Sequence, residues 1–159
     1  MPEPPARHPP GTITVLSFSP AENDHAVLEQ AFRESSLTLY PNCRLALQPS
    51  PTIAAAVAAL REHRIPIVLC DRDGQPDAWR EIHQASRDLA APPCVIVTSQ
   101  LADDREWTEL LNAGAFDLLA KPFDKSNVIR IIHSAWVHWQ SRYGLTEAAE
   151  QSGESATGT

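Results

Sequence analysis

In IPIVLCDRDG, residues 65–74, a continuous apolar run stops abruptly at an acid. A strand with one face in water alternates apolar and polar residues, whereas a strand covered on both faces has no need to. PIVLC (66–70) therefore reads as a strand buried between two layers, and Asp71 stands where that strand leaves the core. CVIVTS (94–99) has the same character and is the most strand-like segment of the chain. Two such runs are the mark of a parallel sheet with helices on both faces.

The segments around them alternate accordingly. TITVLSF (12–18) is a β-branched apolar run, followed by a stretch with Val27, Leu28, Ala31 and Phe32 on one helical face. CRLALQ (43–48) is a short strand interrupted by Arg44. Ser50 can cap the next helix, where Ile53, Val57 and Leu60 recur at helical spacing. Trp79, Ile82 and Leu89 mark a third helix, and Trp107, Leu110 and Leu111 a fourth. Asp103 or Asp104 can cap that fourth helix, and Gly114 suits its left-handed C-terminal position. FDLLA (116–120) is a short strand, after which Asp124 or Ser126 opens a long helix. Its Val128, Ile131, Ile132, Ala135 and Trp139 share one face. Five strands alternating with five helices make a doubly wound α/β domain.

The 159 residues suit one domain with tails. MPEPPARHPP is proline-rich and aperiodic, so residues 1–11 read as a disordered arm. Residues 143–159, ending in TEAAEQSGESATGT, are polar and small, and read as a disordered tail around a 12–142 domain. A net charge of −7 opposes direct contact with nucleic acid or an anionic membrane. The longest purely apolar run, IAAAVAAL (53–60), is too short to span a bilayer, and no signal peptide is visible. Cys43, Cys70 and Cys94 lie in or beside apolar runs, which points to reduced core thiols and a cytoplasmic protein. The six glycines form neither a phosphate loop nor a GxGxxG or GxSxG motif, so no enzyme signature is present.

Ligands of an open parallel sheet bind beyond the carboxyl ends of its strands. There the first strand delivers Ser17 and Ser19, then Glu22, Asn23 and Asp24; the third delivers Asp71 and Asp73. The fourth brings Thr98 and Ser99, and the fifth Lys121 followed by Pro122. A carboxylate can attack a phosphoryl donor to form an acyl phosphate, whose oxygens need a cation and hydrogen-bond donors. Lys121 and Thr98 could supply both, and a divalent metal would want further oxygen ligands. Taken one at a time, Asp71 is also an ordinary strand-terminal acid, Asp73 a solvated loop residue, and Glu22 and Asp24 ordinary first-turn helix acids. His133, His138, Trp136 and Trp139 read as surface or packing residues, the tryptophans alternatively as a partner-binding patch.

Asp71 and Thr98 closing their strands, with NAGAFDLLAKPF (112–123) before a long last helix, resemble the receiver domains of two-component response regulators. The resemblance runs from about residue 12 to residue 142. It implies a flavodoxin-like sheet of order 2-1-3-4-5 and a cis bond between Lys121 and Pro122. It implies Asp71 as phosphoacceptor and metal ligand, Thr98 as switch hydroxyl and Lys121 as phosphate-binding lysine. It also implies a magnesium ion, yet Ser19 and Pro20 stand where the family carries its acidic pair. Glu22 or Asp24 would have to reach inward instead. Leu118 takes the place of the switch aromatic, and Gln75 and Trp79 replace a loop proline and glycine.

On that resemblance the chain is not an enzyme beyond at most dephosphorylating itself. It would take a phosphoryl group on Asp71 from a histidine kinase or phosphotransfer protein. Output would pass to a downstream protein partner, with a homodimer also admitted and no nucleic-acid or membrane contact. The alternative is a phosphorylation-independent pseudo-receiver, an interaction module without the chemistry.

Overall fold

The structure, a computed structural model, describes residues 12–39, 44–73, 75–100 and 103–144. Elements follow in the order β1 (Thr12–Phe18), α1 (Glu22–Leu39), β2 (Arg44–Ser50), α2 (Ile53–Glu62) and β3 (Ile67–Asp71). Then come α3 (Ala78–Arg87), β4 (Cys94–Ser99), α4 (Asp104–Asn112), β5 (Asp117–Ala120) and α5 (Lys125–Trp139). All strands pair in parallel, in the order β2-β1-β3-β4-β5. The flavodoxin-like sheet expected from the sequence is therefore the one formed.

The period of two along each central strand divides the core into two layers. Leu16, Phe18, Val68, Cys70, Val95 and Val97 face α2 and α3, where Ala56, Leu60, Trp79 and Ile82 fill the space. Val15, Ile67, Leu69 and Ile96 face the opposite way, onto Leu28 and Phe32 of α1 and Val128, Ile131, Ile132 and Ala135 of α5. With apolar neighbours on both sides, β3 and β4 are buried along their whole length. Each fully buried aliphatic or aromatic side chain here contributes about 1.5–3 kcal/mol relative to exposure.

Several local details differ from the sequence reading. Ser50 does not cap α2; it ends β2, buried, with its carbonyl accepting from Ser19 N. Thr52 is the cap, its hydroxyl accepting from Ala55 N at 3.1 Å. An extended Thr52 places that oxygen over the first turn, whereas Ser50 is still held in the sheet. Helix α3 ends at Arg87, so Leu89 packs from the turn beyond it. Asp103 and Asp124 are the caps of α4 and α5. Gly114 has φ of +110°, and a Cβ there would lie 2.7 Å from His83 Cε1. Both the backbone and the space therefore require glycine.

Cys70 and Cys94 are free thiols in the core. Burial pushes both thiols up, Cys94 to about 11, so neither is a nucleophile at neutral pH. Beyond α5 a single π turn, Gln140–Gly144, carries Tyr143 onto Trp139 with ring centroids 5.6 Å apart. Cys43, the 1–11 arm and residues 145–159 lie outside the described residues. No helix among the described residues is long and apolar enough to cross a membrane.

Candidate functional site

The switch in strand order falls at β1 and β3, and the polar side chains gather at the carboxyl ends beside it. Asp71 is the last residue of β3, in register with Thr98 of β4. Each is 3% exposed. The ladder is tied off there by Arg72 N donating to Thr98 O at 3.0 Å. On the next strand out, Lys121 N donates to Ser99 O at 2.9 Å, and the Lys121–Pro122 bond is cis, as expected.

The Lys121 side chain runs back over the strand ends. Its Nζ donates to Asp71 Oδ1 at 2.7 Å and to Asp24 Oδ2 at 2.6 Å, and it lies 3.2 Å from Asp73 Oδ2. Burial alone would push this ammonium down, but the hydrogen bonds to Asp24, Asp71 and Asp73 outweigh it. Lys121 is held above the ordinary lysine range. The residues singled out in the sequence thus meet: Asp71, Thr98 and Lys121 share one strand edge, and Asp24 joins them from α1. Glu22 sits exposed in the first turn of α1, apart from the carboxylates that Lys121 holds.

Two members went unrecognised in the sequence. Asp73 is an exposed loop residue, as expected, but its side chain also belongs to the cluster. Its Oδ1 accepts from Gln100 N at 3.0 Å and from Ser99 Oγ at 3.3 Å, in addition to the Lys121 contact. Its own N–H donates to Asp71 Oδ1 at 3.2 Å, an Asx turn that Asp-x-Asp spacing favours. Ser19, standing where an acid was expected, donates to Asp24 Oδ2 at 3.0 Å and accepts from Ala21 N at 3.1 Å. The inward aim of Asp24 has a sequence signal. It precedes Leu28 by four residues and Ala31 by seven, so it shares their buried face.

The donor set does not fit the magnesium ion that the resemblance implies. Magnesium needs near-octahedral oxygen ligands free to face one point. Here Asp24 Oδ2, Asp71 Oδ1 and Asp73 Oδ2 all face an ammonium. Ser19 offers a neutral hydroxyl already engaged, and Pro20 offers no side-chain donor. Among the described residues, no group of three or more His, Cys, Asp or Glu side chains is arranged to hold a metal ion.

Outward from the cluster, the single Ser99 hydroxyl proton lies between Asp73 and Glu106, with Glu106 Oε1 3.4 Å from Ser99 Oγ, and Glu106 pairs with Arg72. This polar chain links the loop after Asp71 to α4. Leu118, where the resemblance would place a switch aromatic, is a core residue. Beside Lys121 opens a cleft of about 510 Å³ lined by Asn23, Asp24, Val27, Gln100, Pro122 and Phe123.

The fold is a doubly wound α/β domain with polar side chains gathered at the switch point, and comparison with solved structures sharpens this. A response regulator from Thermotoga maritima superposes with a TM-score of 0.66 at 18% identity, over 78% of this chain and 97% of that one. The receiver domain of Francisella response regulator 1452 gives 0.63 at 17% identity, over 79% and 98%. The beryllofluoride-activated NtrC4 receiver domain dimer gives 0.64 at 19% identity, over 79% and 98%. No family profile matches the sequence, and no curated protein does. The chain has the fold of response regulator receiver domains.

Proposed function

We propose that this is a receiver-type signalling domain that accepts a phosphoryl group on Asp71 and passes its state on by protein contact. The observation that carries the reading is the 2.7 Å pair of Asp71 Oδ1 with Lys121 Nζ, beside Thr98 in register. A carboxylate Oδ of Asp71 attacks the phosphorus of a phosphohistidine on a kinase or phosphotransfer protein. The P–N bond breaks, the imidazole leaves and takes a proton from solvent, and a P–O bond to Asp71 forms. Lys121 offsets the charge gathered on the phosphoryl oxygens, and the Thr98 hydroxyl is close enough in the ladder to donate to one of them. A charge-assisted pull on Thr98 would shift the population of the β4–α4 loop, and with it the surface offered to a partner. Histidine kinases present their phosphoryl groups in the cytoplasm, so that location goes with the reading.

A specific observation favours a second reading. Lys121 is shared among Asp71, Asp24 and Asp73, and no acid stands at Ser19 or Pro20. This supports a phosphorylation-independent pseudo-receiver that binds partners through the same fold. The two separate by intact mass after incubation with a small acyl phosphate, with and without magnesium. One added phosphoryl mass, absent in Asp71→Asn, supports phosphoryl acceptance. No adduct under either condition leaves the interaction module.

A further inference from the structure

We propose that Lys121 is the resident cation of this site, and that its ammonium takes the place a divalent metal would fill. The inference holds for either functional reading, because it concerns what neutralises the carboxylates rather than what reacts with them.

An ammonium has three N–H donors and no acceptor. Here three carboxylates surround it, at 2.6 Å (Asp24 Oδ2), 2.7 Å (Asp71 Oδ1) and 3.2 Å (Asp73 Oδ2). Each of these oxygens has a second donor. Ser19 Oγ serves Asp24 Oδ2, the Asp73 N–H serves Asp71 Oδ1, and Gln100 N serves Asp73 Oδ2 at 3.3 Å. A metal would have to strip these bonds and expel an ammonium whose side chain is only 9% exposed. Leaving that ammonium unpaired beside the sheet end is costly. The two positions that would repay the exchange with charge hold Ser19 and Pro20 instead. Ser19 supports the lysine arrangement positively, since its hydroxyl fixes the oxygen of Asp24 that Lys121 uses. Asp24 and Ser19 are thus positioning residues for a lysine-centred cluster.

Three carboxylates around one ammonium leave net negative charge. Removing the ammonium should therefore turn the same cluster into a cation site, and this gives a gain-of-function test. Manganese, a spin-active stand-in for magnesium, is titrated into the full chain and bound metal is read by water-proton relaxation. Thermal unfolding is recorded in parallel with magnesium or an equal ionic strength of a monovalent salt. The wild-type chain is expected to bind no manganese saturably and to unfold at the same temperature in both salts. Lys121→Met, which removes the charge and keeps the length, is expected to gain manganese affinity at least about tenfold, roughly 1.4 kcal/mol. Asp24→Asn added to Lys121→Met is expected to abolish the gain.

Saturable manganese binding by the wild-type chain that Asp71→Asn removes would overturn the proposal, since Lys121 would then yield to metal. Failure of a folded Lys121→Met chain to gain affinity would also overturn it. Should Lys121→Met not fold, the wild-type titration still decides. So does the nitrogen resonance of the Lys121 ammonium, which is expected to stay in slow exchange with and without magnesium. Its loss on adding magnesium would sink the idea.

Discussion

The centre of the sheet and its β5–α4 edge are packed very differently. In β3 and β4 every residue is buried, with side chains meeting helices on both faces. At the edge, β5 has four residues and α4 buries only Leu110. Trp107 of α4 is 45% exposed, its indole N–H donating to Asp117 Oδ1 at 3.0 Å. Asp71 and Thr98 end the fully buried central strands, while the polar chain through Ser99 and Glu106 leads to the lightly packed edge. A site fixed at one end and linked to loosely held structure at the other is suited to shifting populations.

The largest expected effect would test the centre directly. Ile96→Ala removes a side chain with no exposure. It should cost about 2–5 kcal/mol in urea unfolding, whereas Trp107→Ala at the edge should cost no more than about 1 kcal/mol. Equal losses would erase the contrast. Next comes the link between the two regions. Arg72 and Glu106 have side chains 30% and 11% exposed, and a double-mutant cycle to alanine should give a coupling near 1 kcal/mol. The same variants should speed amide exchange in α4 and leave β3 and β4 protected. No coupling, or uniform deprotection, would detach the edge from the site.

The smallest expected effect concerns pH. His83, against Trp79 and beneath Gly114, is held below the ordinary histidine range by burial and then by the charge of Arg87. The folded chain thus resists protonation more than the unfolded one. Its contribution is present above about pH 6.5 and is lost as the pH falls through the lower folded value. The side chain is half-buried, so solvent screening keeps the effect below about 0.5 kcal/mol. His83→Gln should flatten the stability curve just below pH 6.5. An unchanged slope there would remove His83 as its cause.

The sequence by itself determined the architecture. Continuous apolar runs at 66–70 and 94–97, short and rich in valine and isoleucine, read as strands covered on both faces. The face Val128, Ile131, Ile132, Ala135 and Trp139 is the buried face of α5, because its 3.6-residue period is a local property of the chain. Asp71, Thr98 and Lys121 were legible as strand-terminal polar residues for the same reason. Tertiary structure alone decided how they are used. Whether Ser50 or Thr52 capped α2 depended on how far β2 stayed paired with β1. Trp107 stays nearly half exposed because its place on α4 depends on what packs against that helix, not on the residue itself. Above all, the partners of Lys121 are 97, 50 and 48 residues away along the chain, counted from Asp24, Asp71 and Asp73. No local pattern encodes a contact that long. Only the parallel crossovers bring three carboxylates to one ammonium, and with them the choice between a lysine and a metal at the heart of the site.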